Sequence, residues 1–201
     1  IRLSLVGSEM CIRDSPDARR LAQKVSVVER QCTRLESLLN DFLRLTRLNR
    51  LELVAGSLNA LLEQVLDFFE ADAQHRNVEI VRYLDGDLPI IKMDKQTLQA
   101  ALQNMVKNSM EAMSDGGQLV VRTRMMRSGV AVDLIDTGQG IGSSTLIKMF
   151  EPFYTTKDSG SGLGLPMAKK VIEAHGGVIN VQSEEGRGTQ FTIEFPIPKR
   201  L

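Results

Sequence analysis

Residues 136–165 constrain this chain more than any other stretch. Their sequence, DTGQGIGSSTLIKMFEPFYTTKDSGSGLGL, holds two clusters of alternating glycines on either side of residues 143–159. Glycine tolerates positive φ and allows a ligand to approach the main chain closely. The two clusters therefore predict backbone wrapped around a ligand, with two tight turns as the alternative. The first cluster is Gly138, Gly140 and Gly142, and the second is Gly160, Gly162 and Gly164.

The ligand indicated by these clusters carries phosphate. The second cluster runs into an apolar-periodic segment, residues 165–174, whose helix N-terminus would offer free N–H groups and a positive dipole end to an anion. Lys157 adds a cation of the kind that pairs with a terminal phosphate. Two other phosphate motifs are excluded. The dinucleotide fingerprint needs a third glycine where Ser143 and Leu165 stand, and the chain has no Gly-Lys-Ser/Thr P-loop.

The ordered motifs DTGQGIG, EPFYTTK and GSGLGL resemble the first glycine box, the F box and the second glycine box of sensor histidine kinases. These kinases share their ATP-binding fold with the gyrase, heat-shock chaperone and mismatch-repair ATPases. The resemblance covers roughly residues 17–200. It implies an α+β fold, a two-layer ATP-binding sandwich in which three helices cover one face of a mixed β-sheet. It also implies ATP and Mg²⁺ as cofactors.

The helix predicted for residues 95–113 carries polar groups beside its buried face. Asn104, Asn108 and Glu111 recur at i, i+4 and i+7 with Lys107 adjacent, so they share one side of the helix. Neutral amide oxygens near a triphosphate suit Mg²⁺, which keeps several waters and takes few protein ligands. The alternative is an ordinary solvated surface.

The sequence NMVKNSMEAM resembles the N box of the same kinases, and the resemblance assigns metal ligation to Asn108. Ser109 stands where that family usually has alanine, a small change that fits the buried face of the helix.

Asp136 ends a predicted strand at the base-binding end of the pocket. A carboxylate only accepts hydrogen bonds, so it suits the exocyclic amine of adenine and repels the carbonyl of guanine. A turn-forming role is the alternative. Thr189, in a GTQF segment that resembles the family's final strand, is expected near the adenine, or is simply a β-branched strand residue. The residues expected to bind ATP are Asn104, Lys107, Asn108, Asp136, Gly138, Gly140, Gly142, Lys157, Gly160, Gly162, Leu163, Gly164 and Thr189.

The remaining pattern completes the predicted ATP-binding domain, residues 51–201. Ser57 is predicted to cap a helix that runs to about residue 74, and Asp94 to cap the helix after it. Residues 143–159 are predicted to form a mobile lid, with a hydrophobic docking patch as the alternative. The predicted strands are 51–56, 78–84, 89–93, 118–126, 130–136, 178–182 and 188–195.

The front of the chain differs from the rest. Residues 1–15 show no periodicity and are expected to be a non-native or disordered leader on a chain truncated upstream. Residues 16–50 are predicted to be one long helix, the second of a dimerisation and phosphotransfer hairpin, and to form a homodimer. Packing on its own domain is the alternative. The apolar seam of this helix is Leu21, Val25, Val28, Cys32, Leu35, Leu39 and Phe42.

The composition of the chain limits which partners and which cellular compartment fit it. The chain has 201 residues with 25 basic and 25 acidic side chains, so no nucleic acid or other polyanion partner is implied. Its two cysteines indicate a reducing compartment. No apolar run approaches the roughly 18 residues that cross a bilayer. We expect a cytoplasmic segment without membrane contact, which a membrane-anchored parent could carry.

A histidine kinase needs an acceptor histidine followed by an acidic residue. His75 precedes Arg76, and His175 precedes a glycine pair, so neither fits, and we expect the acceptor upstream. His175 is predicted to be a helix C-terminal residue that is favourable to the helix dipole. The predicted function is transfer of the ATP γ-phosphoryl to a histidine for relay to a response regulator receiver domain. The alternatives are a serine kinase or ATPase of the same fold, and a nucleotide-binding dimerisation or sensor module without kinase activity.

Overall fold

The computed structural model describes residues 20–21, 23–29, 32, 51–157 and 160–197. The chain divides into two units, Ile1–Phe42 and Leu43–Leu201. The predicted leader, residues 1–15, lies outside the described residues. No helix in the described ranges is both long enough and apolar enough to span a bilayer.

The described residues of the first unit are helical, as the seam pattern predicts. Leu21, Val25 and Val28 are 64%, 48% and 60% exposed, and Cys32 is exposed as a free thiol. The described half of the seam is therefore an exposed apolar stripe. The other predicted seam residues, Leu35, Leu39 and Phe42, lie outside the described residues.

The second unit is a mixed α+β domain, built in chain order from strands β1–β7 and helices α1–α4. Its elements are β1 (Val54–Gly56), α1 (Leu58–His75), β2 (Val78–Tyr83), β3 (Ile91–Met93), α2 (Lys95–Ala112), β4 (Gly117–Met125), β5 (Gly129–Asp136), α3 (Ser143–Lys148), α4 (Gly164–Ala174), β6 (Val178–Glu184) and β7 (Gly188–Pro196).

Five of the strands form the main sheet, in the order β2-β4-β5-β7-β6. The pair β2–β4 is parallel, and the pairs β4–β5, β5–β7 and β6–β7 are antiparallel. The short strands β1 and β3 form a separate antiparallel ribbon. The predicted mixed sheet is confirmed.

Three helices, α1, α2 and α4, pack on one face of the sheet and bury the core between the two layers. Their apolar residues recur at helical spacing, and alternate residues of the strands meet them. Each large side chain buried here contributes about 1.5–3 kcal/mol of transfer free energy. The largest fully buried side chains are Leu58, Leu61, Leu62, Leu66, Leu98, Leu102, Met105, Met110, Met113, Leu119, Leu134 and Ile172.

Some predicted boundaries differ from the structure. The first strand starts at Val54 rather than residue 51, and β3 starts at Ile91 rather than residue 89. Both strands begin later in the chain than predicted because they pair only with each other, and only over three residues. The predicted lid contains a helix, α3, that was not predicted from the sequence.

Both predicted N-caps are confirmed. The Ser57 hydroxyl accepts a hydrogen bond from the Ala60 N–H at 3.2 Å. Asp94 Oδ1 accepts from the Thr97 N–H and Oδ2 from the Glu52 N–H, each at 3.1 Å. Asp94 therefore holds both the start of α2 and the segment that leads into β1.

His175 lies at the C-terminal end of α4, as predicted, and its side chain makes two contacts there. Its Nε2 accepts a hydrogen bond from the Asp94 N–H at 3.0 Å, and its Nδ1 lies 2.7 Å from the Val171 carbonyl oxygen. Both ring nitrogens are therefore engaged by main-chain groups. The side chain therefore ties the end of α4 to the start of α2.

We predict that Asp94→Ala lowers the free energy of unfolding by about 1–2 kcal/mol, more than Ser57→Ala, because it loses a cap and a second hydrogen bond. Burial raises the pKa of Asp94, but the Thr97 and Glu52 N–H groups outweigh burial and leave that pKa lowered. The stabilisation should be complete above the ordinary aspartate pKa of about 3.9 and be lost as pH falls through the lowered pKa.

Urea unfolding of wild type, Asp94→Ala and Ser57→Ala across acidic pH measures this difference. An Asp94→Ala deficit that is the same at every pH would contradict the charged role of the cap.

Candidate functional site

Helix α2 brings the predicted polar residues next to the second glycine cluster. Gly164, the first residue of α4, lies against two of them: a Cβ added there would sit 3.8 Å from both Asn104 Cγ and Asn108 Nδ2. Both amides are half-buried. The N-terminus of α4 and the amide pair thus form one surface, although they are more than 50 residues apart in the chain.

A lysine from the predicted lid reaches this surface. Lys157 Nζ donates to Asn108 Oδ1 at 3.2 Å and to Glu111 Oε2. Glu111 lies one turn after Asn108 on α2, and its other oxygen is 3.9 Å from Lys107 Nζ. We refer to Asn108, Glu111 and Lys157 as the cation cluster.

The donor atoms of the cation cluster show which kind of metal ion these residues suit. An amide oxygen and a carboxylate oxygen already converge on one positive charge, and both are hard donors of the kind Mg²⁺ prefers. The described residues contain no group of three or more His, Cys, Asp or Glu side chains placed to hold a metal. The donor set therefore fits Mg²⁺, which needs few protein ligands, better than a metal enclosed by the protein.

Asp136 forms the other end of the predicted site. Its side chain is 3% exposed, and Oδ1 accepts hydrogen bonds from the Gly138 and Thr189 N–H groups, each at 3.1 Å. No N–H group of the described residues donates to Oδ2. One oxygen therefore holds the fold, and the other remains available to a ligand.

Burial raises the pKa of Asp136, and the N–H groups of Gly138 and Thr189 and the Ser109 hydroxyl only partly oppose it. A carboxyl group with a raised pKa takes up its proton at a higher pH than an exposed aspartate. Its ability to accept from a ligand amine should fall as pH drops through that raised pKa.

Thr189 lies beside Asp136 through its main chain, while its side chain points elsewhere. The Thr189 Oγ1 is 3.0 Å from Ser183 Oγ, which also accepts from the Ile141 N–H at 2.8 Å. Its hydroxyl is thus part of an internal network next to the first glycine cluster. Contact between this hydroxyl and a ligand stays a prediction.

Close contacts within the protein require glycine at two positions of the clusters. Gly140 has φ 71°, and a Cβ there would overlap the Glu184 carbonyl. Gly162 has φ 67°, and a Cβ there would overlap the Phe153 main chain. Both positions are left-handed, which favours glycine. The packing explains these two residues without a ligand, so their predicted ligand contact remains untested.

Two other predicted residues lie less directly at the site. Leu163 is 5% exposed with its side chain in the core, so only its main chain could face a ligand. Lys107 is exposed and reaches the cation cluster only through Glu111. Glu111 shares the polar side of the helix with these residues but is not among the predicted binding residues. Its partner, Lys157, is distant in sequence, so no local pattern reveals their contact.

The described part of the predicted lid is partly buried and partly exposed. Met149 is 4% exposed, whereas Ile147 and Phe153 are 80% and 72% exposed. Lys169 Nζ lies 5.1 Å from the centroid of the Phe150 ring, a cation–π distance. The predicted lid therefore contacts the domain through Met149 and Phe150 and presents other apolar groups to solvent.

A cleft of about 370 Å³ opens beside Asp136 and Thr189, at the turn between β6 and β7. Its other walls are formed by Ile135, Gln182, Ser183, Glu184, Arg187, Gly188 and Gln190. Neither Asn108 nor Lys157 lines it, so the cleft does not join the two ends of the predicted site. The two ends are joined by α2 instead.

Comparison with known proteins supplies a family. The profile described as histidine kinase-, DNA gyrase B- and HSP90-like ATPase matches residues 93–199. The chain is 33% identical over 181 residues to the sensor histidine kinase ZraS of Escherichia coli strain K12, covering 90% of this chain and 38% of that protein. It thus spans about two fifths of the length of this relative.

Solved structures show the same similarity. The chain resembles full-length ShkA in complex with AMPPNP with a TM-score of 0.75 and 28% identity, over 90% of this chain and 39% of that one. It resembles the histidine kinase ThkA in complex with the response regulator protein TrrA with a TM-score of 0.75 and 26% identity, over 96% of this chain and 57% of that one.

We predict that Glu111→Gln releases Lys157, because the neutral amide keeps the shape of the side chain but removes the charge that holds the amine. Acylation of the Lys157 ε-amine, followed by peptide mass spectrometry, should become several-fold faster. The matched control is Glu173→Gln, whose partner Lys169 lies 3.9 Å away in a helical surface pair. Such pairs contribute little, so the Lys169 rate should barely change. An unchanged Lys157 rate would show that Glu111 does not restrain it.

Proposed function

Because the chain belongs to the histidine kinase-, DNA gyrase B- and HSP90-like ATPase family, we propose that its second unit binds Mg-ATP and transfers the γ-phosphoryl group to a histidine. The phosphoryl group would then pass to an aspartate of a response regulator. The similarity to ZraS and to ThkA, which was crystallised with a response regulator protein, supports the histidine kinase branch of the family.

The observation that carries this proposal is the position of α2 between two complementary sites. Toward one side, Asn108 meets Lys157 and the N-terminus of α4, where positive charge and free N–H groups suit phosphates. Toward the other, the loop after Asp136 is fastened to the helix, since the Gln139 N–H donates to the Ala112 carbonyl at 3.0 Å. A nucleotide has the same two ends, a base and a polyphosphate.

Asn108 would hold Mg²⁺, with Glu111 beside it. When bound, the ion would neutralise phosphate charge and orient the terminal group. Lys157 now contacts the same Asn108 oxygen, so it would turn to the γ-phosphate as the nucleotide and metal enter. Phosphoryl transfer depends mainly on such positioning and electrostatic stabilisation, so no side chain of this unit needs to act as a nucleophile.

His175 is poorly placed to accept the phosphoryl group. His175 follows α4, an 11-residue helix that starts beside Asn104 and Asn108. At about 1.5 Å per residue the helix is roughly 16 Å long, whereas in-line attack needs about 3 Å. Both ring nitrogens of His175 are also engaged. The acceptor we propose is therefore a histidine on another helix.

The first unit would supply the contact with partner helices. Its described seam residues are apolar and exposed, and a stripe of this kind is stabilised by a second helix. We infer homodimerisation through this helix, as the resemblance implies.

We predict that Asp136→Asn loses ATP affinity by at least about tenfold while GTP binding does not fall. The Gly138 and Thr189 N–H groups would hold the amide oxygen, so the amide NH₂ would face the ligand. That donor opposes the adenine amine and suits the guanine carbonyl. In wild type, ATP affinity should fall as pH drops through the raised pKa of Asp136, and in Asp136→Asn this dependence should vanish.

Calorimetric titration with both nucleotides measures these affinities. The control is Asp133→Asn, which alters a buried aspartate on the same strand that pairs with Arg122 and Arg124 instead. It should change stability but not the ratio of ATP to GTP affinity. Equal binding of ATP and GTP by wild type would refute the assignment of Asp136.

Transfer itself is tested with γ-labelled ATP and analysis of acid-labile, base-stable phosphate. Alone, the chain should label neither His75 nor His175. With a separate helical polypeptide whose histidine is followed by an acidic residue, transfer in trans should appear, and Lys157→Ala should slow it roughly tenfold or more. Labelling of His175 in the isolated chain, or no transfer to any acceptor despite ATP binding, would contradict the proposal.

A further inference from the structure

Three segments of the second unit meet at Asp94. Its main-chain N–H donates to His175 Nε2 at 3.0 Å, at the end of α4. Its Oδ1 accepts from the Thr97 N–H of α2, and its Oδ2 accepts from the Glu52 N–H, each at 3.1 Å. Glu52 belongs to residues 51–53, which lead into β1 and which we call the entry segment. We refer to the bonds of Asp94 to these three segments as the Asp94 junction.

The contact between α2 and α4 is otherwise apolar. Among the described residues, the bond from Asp94 to His175 is the one hydrogen bond that joins α4 and its C-cap to α2 and its N-cap. The two helices otherwise meet through buried apolar side chains of one core. Apolar packing has no preferred direction, so it fixes the distance between two helices better than their position along each other. A hydrogen bond needs a donor–acceptor distance of about 3 Å and a nearly straight angle, so it sets that position.

The position of α4 along its axis decides what its N-terminus can bind. Gly164, its first residue, lies against the Asn104 and Asn108 side chains, where we place the phosphates. His175 directly follows its last residue, Ala174, so the junction holds one end of an 11-residue helix and the phosphates lie at the other. A helix transmits a shift along its axis almost unchanged. An N–H group binds phosphate at about 3 Å, so a shift of about 1 Å would weaken that contact.

The His175 ring uses both of its nitrogens. Nδ1 lies 2.7 Å from the Val171 carbonyl oxygen within the last turn of α4, a contact that needs no other segment. Nε2 instead reaches Asp94, which lies 81 positions earlier in the chain. The ring also meets Phe195 edge-to-face, with 6.5 Å between the ring centroids. A residue that only closed the end of α4 would need Nδ1 alone, so Nε2 is the atom that links α4 to the junction.

Resting on the proposed function, we propose that Asp94 and His175 are positioning residues for phosphate binding, which transmit the placement of the entry segment to the N-terminus of α4. The Glu52 N–H sets where the Asp94 carboxylate lies, Asp94 sets where His175 lies, and α4 carries that position to the phosphates. The entry segment follows the first unit along the chain. Strain in the connection between the units would therefore reach the phosphates by this route.

The first experiment separates the two nitrogens of His175. In His175→Gln, the amide oxygen is as many bonds from Cβ as Nε2 is, so it can still accept from the Asp94 N–H. In His175→Asn, the amide is as close to Cβ as Nδ1 is, so only the contact with the Val171 carbonyl remains. Calorimetric titration of the full chain with Mg-ATP should give an affinity within about twofold of wild type for His175→Gln, and roughly fivefold to tenfold lower for His175→Asn. Adenosine, which has no phosphates, should bind all three proteins equally.

The second experiment tests the entry segment through its main chain. Glu52→Pro removes the N–H that Asp94 accepts, whereas the matched control Glu52→Ala keeps it. Glu52→Pro should bind Mg-ATP roughly threefold to tenfold more weakly than wild type does, and Glu52→Ala should bind it equally well. Combined with His175→Asn, Glu52→Pro should cause little further loss, because both changes break the same route. Ser57→Ala, which loses the N-cap of α1 instead, should lower Tm without changing the affinity.

The outcomes keep this inference apart from the function on which it rests. If wild type binds no Mg-ATP, the proposed function fails and the inference fails with it. If wild type binds Mg-ATP but His175→Asn binds it equally well, or more tightly than His175→Gln does, His175 only closes the end of α4 and the inference alone fails. The inference also fails if adenosine affinity falls as far as Mg-ATP affinity, or if the losses from Glu52→Pro and His175→Asn simply add.

Discussion

The buried carboxylate of Asp136 is the constraint on which the candidate site depends. Removing a charged group from water is strongly unfavourable unless hydrogen bonds replace the water. Here the replacements are main-chain N–H groups of Gly138, in the following loop, and Thr189, on the adjacent strand β7. These bonds hold the loop and strand in position around the carboxylate. They occupy one oxygen and leave the other available to the proposed nucleotide.

Helix α2 connects the Asp136 end of the candidate site to its other end. Its last turns receive the loop after Asp136, and its polar side meets α4 and Lys157. At its N-terminus, Asp94 and His175 fasten the helix to the end of α4. Because α2 and α4 are tied at one end, the amide pair and the α4 N-terminus keep a fixed relation at the other. His175 is therefore a structural acceptor of a hydrogen bond.

Much of the fold could be predicted because its signals are local. Apolar spacing identified α1, α2 and α4, and both Ser57 and Asp94 act as the caps that their positions predicted. Alternation identified the strands of the main sheet. Strand β1 begins later in the chain than predicted, and α3 was not predicted. A three-residue strand and a six-residue helix are too short to leave a clear periodic pattern. The family, too, was evident from motifs whose order and spacing lie in the chain itself.

The sequence by itself determined the family, the mixed α+β fold and the residue types at each end of the site. Tertiary structure alone decided which atoms meet. The contact of Lys157 with Glu111 joins residues 46 positions apart, and the Asp136–Thr189 bond spans 53. Tertiary structure also decided that Asp136 has one committed oxygen and that both ring nitrogens of His175 contact main-chain groups. Hydrogen-bond direction and burial depend on three-dimensional neighbours, which residue order does not specify.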